Sequence, residues 1–97
     1  MTYVSRQAIV TKFIGPTNTR PSRVKATCEA GSITVSWDHR YDPENNHDAT
    51  ARALIEKLGW RGEWVSGELP GGGSVYVMVA TGSETVIRST LLKREAV

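Results

Sequence analysis

Between Gly15 and Arg23 the chain reads GPTNTRPSR, and the side chains of that run are of the kind that hold an anion. Thr17, Thr19 and Ser22 offer hydroxyls, Asn18 an amide, and Arg20 and Arg23 planar guanidinium forks suited to bidentate contact with phosphate or carboxylate. Pro16 and Pro21 fix two backbone angles, and Gly15 permits a close backbone approach. A hairpin needs far fewer residues, and long rigid loops in small domains tend to carry function. Lys25 follows on the same strand as Arg23. Trp37 and Trp60 are aromatic groups able to stack on a base, and His39 lies just past Trp37 at a strand end, where it suits surface binding. The expected ligand-binding set is therefore Thr17, Asn18, Thr19, Arg20, Ser22, Arg23, Lys25, Trp37, His39 and Trp60.

Other chemistries find less support. Two histidines, His39 and His47, stand near Asp38, Asp42, Glu44 and Asp48, but Ser22, Ser32 and Ser36 lack the strand–turn–helix elbow of a nucleophile. His47 falls on the apolar stripe of a helix and reads as a partly buried structural residue. The run DHRYDPENNHD clusters acids and both histidines, yet matches neither an EF-hand loop nor HExxH. PGGG lacks the Lys-Ser/Thr and helix of a phosphate loop and reads as a hairpin turn. A non-enzymatic protein is expected, with no cofactor and no metal.

These residues need elements to position them. Gln7–Ile14 alternates, with Ile9, Thr11 and Phe13 on one face and Val10, Lys12 and Ile14 on the other. Arg23–Cys28 turns Val24, Ala26 and Cys28 inward and Arg23, Lys25 and Thr27 outward. After the turn EAGS, Ile33, Val35 and Trp37 alternate again, so two antiparallel strands pair. The period then changes: His47, Ala51, Leu54, Ile55 and Leu58 form a helix stripe. Asp42, Asn45 or Asn46 can cap its start, and Gly59 with Trp60 behind it closes its end. Two strands around PGGG follow. The expected fold is α+β, an antiparallel sheet in the order β-β-β-α-β-β with one helix on a face. Residues 1–81 form the domain and 82–97 an arm in which Ser83 can cap a short helix. Its Val86, Ile87, Leu91 and Leu92 either pack back on the sheet or reach another copy, and a homo-oligomer is expected.

Charge is uneven along the 97 residues. Residues 1–40 carry Arg6, Lys12, Arg20, Arg23, Lys25 and Arg40 against Glu29 and Asp38, a balance of +4, whereas residues 41–97 balance at −2. The first half presents the more positive field to an anionic partner. A lone cysteine, Cys28, excludes an internal disulfide and reads as a small core residue. No apolar run has the length of a membrane span and no leader pattern opens the chain, so no membrane partner and a cytoplasmic setting are expected.

The segment KFIGPTNTRPSRVKA, the TVSW strand, the H-x2-A helix ending KLGW and the hairpin ending YVMV together resemble a family of small uncharacterised proteins encoded by phages and prophages. The likeness spans about Ile9 to Val79, and the loop is its most specific part. Glycine stands in that family where this chain has Pro21. The resemblance implies a host-directed setting, in which small proteins block or sequester components of bacterial immunity. The leading expectation is a binding protein that sequesters a small anionic ligand such as a cyclic nucleotide signal. The alternative is a binder of a macromolecule, either a host defence protein or RNA, through the Arg23/Lys25 face.

Overall fold

The computed structural model describes residues 8–89. Three strands come in succession, β1 (Ile9–Ile14), β2 (Arg23–Cys28) and β3 (Gly31–Ser36), followed by helix α1 (Pro43–Leu58). The chain continues through β4 (Gly62–Glu68), β5 (Ser74–Thr81) and a short β6 (Val86–Ser89). The strands form one sheet in the order β3-β2-β1-β5-β4-β6. All pairings are antiparallel except that of β6, which runs parallel to β4. The α+β class and the order of the first five strands and the helix follow the sequence pattern.

Parity along each strand decides what is buried. Ile9, Val24, Ala26, Trp64, Tyr76 and Met78 point to one face of the sheet, where Ala51, Leu54 and Ile55 of α1 meet them, and all are essentially dry. Burying each large apolar side chain there contributes roughly 1.5–3 kcal/mol. We call this the inner face; the one helix of the described residues packs on it.

The ends of α1 are set by local chemistry. Asp42 is the N-cap, its carboxylate accepting from the Asn45 amide at 2.7 Å, with Pro43 in the first turn. At the far end Gly59 is left-handed (φ 75°), a conformation glycine adopts without Cβ strain. Its N–H donates to Glu56 O at 3.2 Å, and the Trp60 N–H reaches Ile55 O at 3.0 Å, closing a Schellman turn. Asn46, one of the alternative caps, does something else. It is buried, its Oδ1 accepts from Asp38 N at 2.8 Å, and its Nδ2 donates to the carbonyls of Asp38, Tyr41 and Asp42. This side chain ties the start of the helix to the exit of β3.

The tail differs from its expected form. Val86–Ser89 is a strand rather than a short helix, and it extends the domain's own sheet beyond residue 81. Ile87 packs against the core, and Arg88 forms an ion pair with Glu63 of the neighbouring strand. The rest of the arm, with Leu91 and Leu92, lies outside the described residues. Trp37 also falls just past the end of β3 instead of within it.

Candidate functional site

The loop that joins β1 to β2 is built around Thr17. Its hydroxyl accepts from the amides of Thr19 at 3.3 Å and Arg20 at 3.0 Å, while its own N–H donates to Arg20 O at 2.8 Å. Thr17 therefore folds the loop on itself and spends its hydroxyl inside it. Asn18, Thr19 and Arg20 are exposed. Ser22 is anchored, its carbonyl accepting from Trp37 N at 3.0 Å. The aromatic ring of Phe13 sits against Gly15 at the loop's entry.

From there the chain passes to the outer face of the sheet. The register places Lys12 directly opposite Lys25, and Ile14 opposite Arg23. Across the next pairing Lys25 faces Thr34, Arg23 faces Ser36, and Thr27 faces Ser32. Lys12, Arg23 and Lys25 thus share one patch of hydroxyl-bearing surface, continuous at one end with the loop and Arg20. None of these four cations has an ion-pair partner among the described residues. Asp38, one acidic candidate by sequence, is held by Arg40 through paired contacts at 2.9 and 3.1 Å. That guanidinium keeps the Asp38 carboxyl at about 2. Toward β5 and β4 the same face turns apolar, with Val10 opposite Val75 and Val65 opposite Val77.

Not all the expected site residues gather here. Trp37 stands beneath the loop, with its ring edge-on to Phe13 at 5.0 Å and to His47 at 6.4 Å. His39 is exposed at the neighbouring turn. Trp60 is elsewhere: α1 has 16 residues, about 24 Å of helix, and Trp60 lies beyond its other end. There it is half-buried and stacked on Trp64 at 6.4 Å, as part of the helix terminus. It cannot share a ligand with Arg20. Four clefts among the described residues are lined by other segments, and none of the four includes a residue from 15 to 25.

A second polar assembly lies on the inner face, and the sequence reading placed no site there. His47 is 8% exposed, and its Nδ1 is 2.7 Å from the hydroxyl of buried Thr11. That hydroxyl also accepts from the Ser74 amide at 3.1 Å. Beside it the Tyr76 hydroxyl donates to Asp48 Oδ1 at 2.5 Å. Burial sets the protonation of all three titratable groups. It lowers the His47 pKa, raises that of Asp48 against the Tyr76 hydrogen bond, and pushes the Tyr76 hydroxyl well above its ordinary value. The available signal was parity: Thr11 and Ser66 are polar residues at inward positions of their strands, and buried polar groups require partners.

No helix among the described residues is long and apolar enough to cross a membrane, and no cluster of three or more metal-ligating side chains occurs among them. Comparisons with family models, with curated proteins and with solved structures find no match to the chain.

Proposed function

We propose that this chain is a non-enzymatic binding protein whose partner is an extended polyanion, a single strand of RNA, held by its phosphates along the outer face of the sheet and the loop from Gly15 to Ser22. The observation that carries this reading is the direct cross-strand opposition of Lys12 and Lys25. Like charges so placed destabilise a sheet, and no described carboxylate pairs with either. A bound phosphate row relieves that repulsion. Arg23 and Arg20 continue the row, and Thr27, Thr34 and Ser36 supply hydroxyls between the charges. The surface is open, and its aromatics, Phe13 and Trp37, stand on the other parity at the loop's rim. Such a site grips backbone and reads little sequence. On the strength of the resemblance to phage-encoded proteins, we place this binding in an infected host, where a strand held on the sheet is withheld from host machinery.

The test is fluorescence anisotropy with a labelled RNA oligonucleotide at several salt concentrations. Four phosphate contacts give a log–log salt slope of about −3, from the value of about −0.7 per contact for single strands. Lys25→Glu and Arg20→Ala should each weaken binding at low salt and flatten that slope. Neither should lower the melting temperature, because exposed unpaired cations contribute little to the fold. Absence of RNA binding at low salt, together with stabilisation by a cyclic nucleotide, would overturn this reading in favour of a small-ligand sponge.

A further inference from the structure

The inner face opens, at the first turns of α1, into a cleft of about 170 Å³. Its floor is laid by register. Ser66, Gly67, Glu68, Gly73 and Ser74 line it, with Ser74 opposite Glu68 and Thr11, and Ser66 opposite Tyr76. Its roof is Glu44, His47 and Asp48. The volume is far below the roughly 300–1,000 Å³ of sites for drug-sized ligands, so a nucleotide does not fit. A narrow chain does.

Three carboxyl groups converge on this hollow. Glu44 and Asp48 are four residues apart on one helix face, where like charges destabilise, and Glu68 reaches it from β4. None of the three has an ion-pair partner among the described residues. Arg52, the cation nearest Asp48 along the helix, donates through Nη1 to Thr85 O at 3.0 Å. The independent sign of a ligand is His47. Its ring is more than nine-tenths buried and fixed through Nδ1 by Thr11, and it lines the cleft with no hydrogen-bond partner for Nε2 among the described residues. Thr11 accepts from Ser74 N and can send its own hydrogen to Ser74 O at 3.4 Å. In the tautomer that donates through Nδ1, His47 presents a bare Nε2 lone pair.

We propose that this cleft binds a primary ammonium group carried on a short alkyl chain, with the carboxyl groups of Asp48, Glu44 and Glu68 and the Nε2 of His47 as its acceptors. An ammonium has three donors and no acceptor, which matches the three carboxyl groups that line the hollow. It also selects the His47 tautomer just described. A primary ammonium of this kind reaches the site either as a free diamine or as a lysine side chain of another protein.

The test is calorimetric titration of the full chain with 1,4-diaminobutane, with a short peptide bearing one central lysine, and with choline, a cation that has no N–H donor. The expected result is saturable binding of at least one of the first two and none of choline. Tighter binding of the diamine assigns the site to free amines, and tighter binding of the peptide assigns it to protein lysines. Asp48→Asn keeps an oxygen for Tyr76 and should weaken amine binding about tenfold, the size of one charge-assisted hydrogen bond. Glu68→Gln, on the exposed end of β4, should weaken it several-fold. Lys25→Thr on the outer face should leave it unchanged, so the outcome is separate from that of the RNA experiment. Binding of choline equal to that of the diamine overturns the proposal, as does absence of binding by both amines or full affinity in both carboxamide variants.

Discussion

Thr11→Val replaces a hydroxyl by a methyl group of nearly the same shape at a position that is 1% exposed. The change therefore creates no cavity, and its cost comes from hydrogen bonding. Two partners lose their connection: His47 Nδ1, 2.7 Å from the hydroxyl, and the Ser74 amide, which donates to it at 3.1 Å. Each buried polar group left unpaired costs about 1–3 kcal/mol. The added methyl recovers part of this by transfer, at about 0.8 kcal/mol. The expected net loss is about 1–5 kcal/mol, centred on ~3 kcal/mol, a large share of the roughly 5–15 kcal/mol by which such domains are stable. In urea, with a slope of about 1–1.5 kcal/mol/M for a chain this small, that central loss lowers the midpoint by about 2–3 M. Thr11→Ser is the control. It keeps the hydroxyl and loses only a methyl, at a cost near 1 kcal/mol. A Val variant within about 0.5 kcal/mol of the parent, or a Ser variant less stable than the Val variant, would refute the argument. It would mean that the Thr11 position is held by shape and not by its hydrogen bonds.

Gly73→Ala places a Cβ 2.3 Å from the Thr11 carbonyl oxygen at φ +85°. It should cost at least about 1–3 kcal/mol, against no measurable change for Gly71→Ala, whose Cβ meets nothing within 4 Å. Burial lowers the His47 pKa from its ordinary 6.5, so the unfolded chain takes up that proton at higher pH than the folded one. Stability from this group is complete above 6.5 and is lost as pH falls toward the folded value. Urea midpoints measured from pH ~5 to 8 should show this decline, and His47→Gln should remove it. The raised Asp48 acts with the opposite sign: above its ordinary 3.8 the folded state holds the extra proton, and stability falls as pH rises through the folded value. Lys25→Thr should raise the melting temperature, since removing one of two opposed lysines gains about 0.2–1 kcal/mol, while its RNA affinity drops.

What was legible in the sequence was local. Alternation in Arg23–Cys28 fixed that strand to the residue, and Gly59-Trp60 marked the end of α1, while Asp42 was one of three candidates for its start, because capping depends on neighbours three or four positions away. The neighbours of β1 were not legible. Its pairing with β5 joins Ile9 to Tyr76 across most of the chain, and no short-range feature dictates that choice. The strand β6 was missed for a related reason: four residues with two apolar side chains carry too little period to separate strand from helix. The loop was seen, yet only its hydrogen bonds showed that Thr17 serves the loop itself.

Strand parity, with α1 packed on one side only, turns the charge asymmetry along the chain into an asymmetry between faces. The basic first half contributes β1 and β2, whose outward parity carries Lys12, Arg23 and Lys25. The acidic second half contributes α1 and β4, whose Glu44, Asp48 and Glu68 meet at the inner cleft. With β1 at the centre, Thr11 comes into register with Ser74 and under His47, and the inner row of hydroxyls is completed by both halves of the chain. The same pairing sets Lys12 back to back with that row, on the opposite side of a single layer of backbone. A substitution in β1 therefore has two separable outcomes. At Thr11 it acts on the cleft and the fold, and at Lys12, one residue on, it acts on the outer face. Parity alone decides which.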